Sequence, residues 1–162
     1  MNDQVSAGYF REGRKIATAN EMTALLDELQ AAGVPVWVEL STRIDDAEAG
    51  PYGATVLDVA LGNGFGSLTF HEPGADGLRY DSVGTLSDPQ DADLDFGGTP
   101  QPIETGSAIT VQEARTAALE FVATRRRPES VTWKLFDPPP VELEPFTLDD
   151  FDEFDPSVAR RD

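Results

Sequence analysis

Two helix-opening signals of the same form, Thr18-Ala19-Asn20-Glu21 and Thr110-Val111-Gln112-Glu113, set the frame into which the rest of this chain must fold. In each, the threonine side chain can accept from the glutamate N–H while the glutamate reaches back to the threonine N–H, closing a capping box. After the first, Met22, Leu25, Leu26 and Leu29 repeat at i, i+3, i+4 and i+7, and Gly33 ends the element. After the second, Val111, Ala114, Ala118, Phe121 and Val122 turn inward and Pro128 is the stop. Arg125, Arg126 and Arg127 in its last turn suit the negative end of the helix dipole better than a dedicated anion site. Between and after these helices, 34–40, 54–61, 66–70, 78–83 and 131–136 have strand composition. One helix, several strands, one helix and a strand do not alternate as βαβ units. The expected fold is therefore α+β: an antiparallel sheet of about five or six strands packed with two main helices, followed by an acidic C-terminal tail.

The chain has 162 residues with 30 acidic and 12 basic side chains, a formal net charge of −18. Such an excess makes direct binding to nucleic acid or an anionic membrane unfavourable. Residues 1–136 hold 21 acids and 10 bases, and 137–162 hold 9 acids and 2 bases. Three prolines at 138–140 mark the change, since they continue neither a helix nor a central strand. The expected division is a domain at 1–136 and a Pro-rich acidic tail at 137–162. No cysteine is present, so disulfides, thiolate catalysis and cysteine-rich zinc sites are excluded, and a reducing compartment fits. The N-terminal residues lack a basic start followed by an apolar run, and there is no stretch of 18 apolar residues, so the expected location is cytoplasmic.

No catalytic, cofactor or metal constellation stands out. Gly62-x-Gly64-x-Gly66 lacks the third spacing of a dinucleotide loop and the lysine of a Walker loop, and reads as a hairpin turn. His71-Glu72 is followed by Pro73-Gly74, which breaks the helix a zinc-protease motif needs. Ser67 is not in a nucleophile elbow. Counting from Asp93 places Gly98 and Glu104 at calcium-loop positions six and twelve, but Gly97 brings no ligand and Pro100 and Pro102 interrupt the loop. A solvated acidic loop is the plainer reading. A carboxylate-based enzyme or a calcium-binding module stays open as a second class of function.

The middle and C-terminal half nevertheless read in a recognisable order: Gly66-Ser67-Leu68-Thr69-Phe70-His71-Glu72-Pro73, Tyr80-Asp81-Ser82-Val83-Gly84, Asp95-Phe96-Gly97-Gly98, the helix from Thr110, then Arg127-Pro128-Glu129-Ser130-Val131-Thr132-Trp133. Over roughly 16–136 this resembles the first-numbered Imm family of immunity proteins from bacterial polymorphic toxin systems, associated largely with deaminase-fold toxins. The resemblance implies a scaffold without catalysis, cofactor or metal, whose partner is a cognate toxin, a basic deaminase-fold domain; a nuclease or another toxin class is the alternative target. Acidity then has a use, because carboxylates can steer toward a basic groove and occupy phosphate positions. Two acidic surfaces are the expected contacts: Asp88, Asp91, Asp93 and Asp95 in a loop, and Asp149, Asp150, Asp152 and Glu153 in the tail, with Phe151 and Phe154 as apolar anchors. Trp37, between Val36 and Val38, reads as core or sheet face, with an interface anchor as its alternative.

Overall fold

A computed structural model describes residues 4–9, 12–42, 54–74, 77–90, 94–96 and 99–138. Eleven elements follow in order: β1 (Val5–Tyr9), β2 (Glu12–Ile16), α1 (Ala19–Ala31), β3 (Val36–Thr42), β4 (Thr55–Leu61), β5 (Gly66–His71), β6 (Arg79–Ser82), β7 (Leu94–Phe96), β8 (Thr99–Gln101), α2 (Val111–Thr124) and β9 (Trp133–Leu135). The fold is α+β, with both helices on one face of an antiparallel sheet ordered β2-β1-β3-β4-β5-β6-β9. All five expected strands form, and four more bring the count to nine among the described residues. Among the described residues no helix is long and apolar enough to cross a membrane.

Both capping boxes close as the sequence requires. Glu21 N–H donates to Thr18 Oγ1 at 3.2 Å and Thr18 N–H to Glu21 Oε2 at 3.1 Å; the Thr110–Glu113 pair repeats this at 3.1 and 2.7 Å. The helices present their apolar stripes to the sheet, burying Met22, Leu25, Leu26 and Leu29 from α1 and Ala114, Ala118, Phe121 and Val122 from α2. Alternate residues of the strands meet them: Val38 and Leu40, Leu57 and Val59, Leu68 and Phe70. Gly66 is where α2 comes closest. A Cβ there would lie 2.6 Å from the Ala114 Cβ, so only glycine lets helix and strand meet. The β4–β5 connection is the expected hairpin turn, with Gly62 N–H donating to Phe65 O at 2.9 Å and Gly64 at φ +84°.

The end of α2 differs from the sequence expectation. The helix stops at Thr124, before the three arginines, because Arg125 turns into the left-handed region at φ 58°. Arg125 then donates from Nη1 to Val122 O at 2.7 Å, satisfying one of the carbonyls a helix end leaves free. Arg126 and Arg127 lie beyond the helix, and Pro128 follows an end already made.

The added strands come from pairing that the local sequence does not announce. In β1, Val5, Ala7 and Tyr9 are buried, while four of the five β2 residues are exposed at the sheet edge. β7 takes the edge of β3 that β1 leaves open: β1 pairs with residues 38–41, and Val36 pairs in parallel with Asp95. Leu94 is fully buried against Ala60 and Phe65, with Trp37 and Ile103 beside them. This burial makes 94–96 a strand where the sequence reads a loop. Pro100 is tolerated in β8 because that strand pairs only with β7 and needs no donor on its free side.

Candidate partner-binding face

Side chains that alternate away from the helices line the opposite face of the sheet, and its two ends differ. At one end the segment from Ile103 to Ile109 lies across β5 and β6. Ser67 Oγ and Ser107 Oγ are 2.7 Å apart, Ser82 Oγ donates to Ser107 O at 2.8 Å, and Gly84 N–H donates to Gly106 O at 2.7 Å. Beneath it, fully buried Asp81 accepts from Thr69 Oγ1 at 2.9 Å and from Arg79 Nη2 at 2.9 Å, and Arg79 also reaches Glu104 at 3.4 Å. Lys134, opposite Asp81 on β9, donates to Thr105 O at 2.8 Å. Most polar groups here hold the cover down, while Asp81 Oδ2 has no hydrogen-bond partner among the described residues.

At the other end the face is open. Register places Glu39 directly opposite Asp58, and His71 Nε2 lies 3.3 Å from Asp58 Oδ2. Two shallow depressions meet at Glu39. One, of about 270 Å³, includes Val56, Asp58, His71 and Glu72; the other, of about 260 Å³, includes Ser6, Gly8, Lys15 and Ser41. Gly8 pairs opposite Glu39 and has no side chain, which leaves that flank low. Lys15 is held aside by donating to Ser6 Oγ at 2.7 Å. Asp58 is only 14% exposed, and its Oδ1 has no hydrogen-bond partner among the described residues. Two carboxylates side by side on a rigid sheet, only one of them facing a histidine, can accept an incoming cationic side chain.

Glu39 weakens the fold that carries it. Burial, and then the charge of Asp58, push the Glu39 carboxyl above its ordinary range, with His71 partly opposing. A carboxyl whose proton affinity is raised by folding destabilises the native state wherever it is ionised. Glu39→Gln is therefore expected to raise the melting temperature at pH 7. The gain should shrink as pH falls through the raised range and vanish below the ordinary value of 4.5. Thermal melts of both proteins from pH 7 to pH 4 test this; an unchanged or lower melting temperature for the variant at pH 7 would contradict it.

The two acidic surfaces expected from sequence are not brought together among the described residues. Asp88 is exposed, but both carboxylate oxygens accept from Gly106 N–H at 2.9 Å, so it holds the covering segment in place. Asp95 stands in β7, not in a loop, because Leu94 beside it is pulled into the core. Asp91, Asp93, Asp149, Asp150, Phe151, Asp152, Glu153 and Phe154 lie outside the described residues. Trp37 is half-buried on the sheet face against Ala60 and Leu94, as its pattern suggests. His71 ends β5, in line with a strand-end histidine. Among the described residues no group of three or more His, Asp or Glu side chains is arranged to hold a metal ion.

Sequence reasoning missed Glu39 and Asp58. The available signal was a single carboxylate at an outward position of each strand pattern, Val36-Trp37-Val38-Glu39-Leu40 and Leu57-Asp58-Val59. Register alone makes them neighbours. No curated protein matches the chain. The family model described as immunity protein Imm1 matches residues 11–135, which span β2 to β9 and both ends of this face. The chain belongs to the Imm1 family of immunity proteins.

Proposed function

We propose that this protein binds a cognate toxin of the nucleic-acid deaminase class in the cytoplasm and blocks it, without performing chemistry itself. The match to the immunity family over 11–135 carries the reading. The net charge of −18 supports it, because a toxin that acts on nucleic acid needs a basic substrate groove, which an acidic inhibitor can fill. Any zinc in such a reaction belongs to the toxin. The open end of the sheet, with Glu39 and Asp58, is the first contact surface in this reading. The loop acids Asp88, Asp91, Asp93 and Asp95 and the tail acids Asp149, Asp150, Asp152 and Glu153, with Phe151 and Phe154 as apolar anchors, are the further contacts in this reading. The domain at 1–136 is the inhibitor proper, and 137–162 is an appended arm.

The test is stopped-flow association of the purified chain with deaminase-fold and nuclease toxin domains, alongside inhibition of each toxin's reaction. With a cognate deaminase, the association rate is expected to fall about tenfold or more as salt rises from about 0.05 to 0.5 M, since exposed charges are screened over about 10 Å at 0.1 M. Glu39→Gln with Asp58→Asn should lower the rate at low salt and leave less of the salt dependence. A flat salt profile would contradict steering. Inhibition of a nuclease and not of any deaminase would move the target while keeping the immunity role.

A further inference from the structure

Three consecutive arginines line a groove of about 560 Å³ just beyond the end of α2. Phe70, Val131 and Trp133 give it an apolar wall, and Arg125, Arg126 and Arg127 give it a cationic one. Arg14, Arg79 and Arg115 elsewhere each pair with a carboxylate. The groove arginines are less occupied. Arg126 is exposed and its guanidinium pairs with no side chain among the described residues. Arg127 stacks over the Tyr80 ring at 4.0 Å and lies 3.5 Å from Glu72, but its enclosed Nη1 makes no hydrogen bond among the described residues. Glu72 and Glu129 also line the groove, leaving three cations against two carboxylates. Glu129 lends only its N–H to Glu120.

Such a wall suits a segment that alternates carboxylates with aromatic residues, and this chain carries one. Between 141 and 155 stand seven acids together with Phe146, Phe151 and Phe154. The chain also leaves the sheet close by. Phe136 N–H donates to Arg79 O at 2.8 Å, His71 is the cross-strand partner of Arg79, and Glu72 follows His71 at the groove. The exit is thus two strand spacings, about 10 Å, from the groove's rim. From Pro138, the thirteen residues to Phe151 reach up to about 43 Å when extended, far more than needed. We propose that the groove formed by Arg125 to Arg127, Val131 and Trp133 is a docking site for the chain's own acidic-aromatic segment 141–155. Tethering gives the segment an effective concentration on the order of millimolar, so even a contact of about 1 mM affinity is half formed without new binding energy. The docked arm screens the cationic groove and covers its own phenylalanines until a more basic surface competes for it. This inference does not depend on the toxin reading.

The test uses the full chain, whose lack of cysteine allows one clean label. A nitroxide at Ser157→Cys on ¹⁵N-labelled protein should attenuate the Trp133 indole N–H and the amides of Arg126, Arg127 and 129–131 several-fold more than those of Gly13 and Lys15 at the far sheet edge. Arg126→Glu, at an exposed position, should remove most of that difference while the remaining amide shifts stay in place. Phe151→Ala with Phe154→Ala should do the same without altering the groove. Equal attenuation at both places, or attenuation centred on Glu39 and Asp58, would overturn the proposal. So would attenuation in a mixture of ¹⁵N-labelled unmodified chain with unlabelled nitroxide-bearing chain, which would assign the segment to a second copy.

Discussion

Truncating Phe121 to alanine is expected to lower the free energy of unfolding by about 3–5 kcal/mol. Phe121 is fully buried in the last turn of α2 and meets the Phe70 ring edge-on, with centroids 6.4 Å apart and planes at 74°. Phe70 in turn lies 6.1 Å from the Trp133 ring, so one helical side chain links β5 to the last strand. The neighbours along its face are Ala114, Ala117 and Ala118, which have no side-chain length with which to fill the space. Loss of transfer energy is therefore compounded by a cavity that cannot collapse. Urea unfolding should show a lower midpoint with an unchanged slope, in a domain whose whole stability is on the order of 5–15 kcal/mol. A loss below about 1 kcal/mol would mean that the helix repacks, contrary to the close approach at Gly66.

The second large effect is expected at Asp81. Its side chain is 0% exposed and joins Thr69 on β5 to Arg79 on its own strand, beneath the segment that covers half the outer face. Asp81→Ala leaves a hydroxyl and a guanidinium without their acceptor. Breaking a buried pair on one side costs about 3–5 kcal/mol, and about 3 is expected here because Arg79 is 31% exposed and keeps Glu104. Asp81→Asn keeps an oxygen acceptor and should lose about 1–2 kcal/mol. Equilibrium unfolding separates the two variants. Amide exchange should show the alanine variant opening first at 103–107, since Arg79 and Glu104 no longer share a fixed anchor. Equal losses for both variants would assign the effect to packing and not to the carboxylate.

The two ends of the outer face thus use carboxylates in opposite ways. Asp81 takes Thr69 and Arg79 on one oxygen and Asp88 takes the Gly106 N–H, and both brace the covered end, although the second oxygen of Asp81 has no partner among the described residues. Glu39 and Asp58 are partly buried at the uncovered end, one with a raised proton affinity and one with an oxygen that finds no donor among the described residues. Groups that weaken a fold where neutral residues would fit are expected at surfaces kept for a partner.

What could be read from the sequence was whatever is decided within a few residues. Thr18 with Glu21 and Thr110 with Glu113 place two helix starts because cap and backbone donor lie three residues apart. Apolar spacing assigns their buried faces, and β-branched runs bounded by glycine and proline reveal β3, β4, β5, β6 and β9. The ordered string from Gly66 to Trp133 was enough to suggest the family. Tertiary structure decided what depends on pairing at a distance. It added β1 and β2, whose glycines and charges look unlike strands until Gly8 pairs with Gly13. It made a strand of 94–96 because Leu94 finds Ala60 and Phe65. It turned Asp88 into a brace for Gly106, and through the β3–β4 register it set Glu39 against Asp58, two residues whose separation in sequence says nothing of their contact. Local hydrogen bonding and periodicity are properties of the chain, whereas register is a property of the whole sheet, and the open carboxylate face exists only once that register is set.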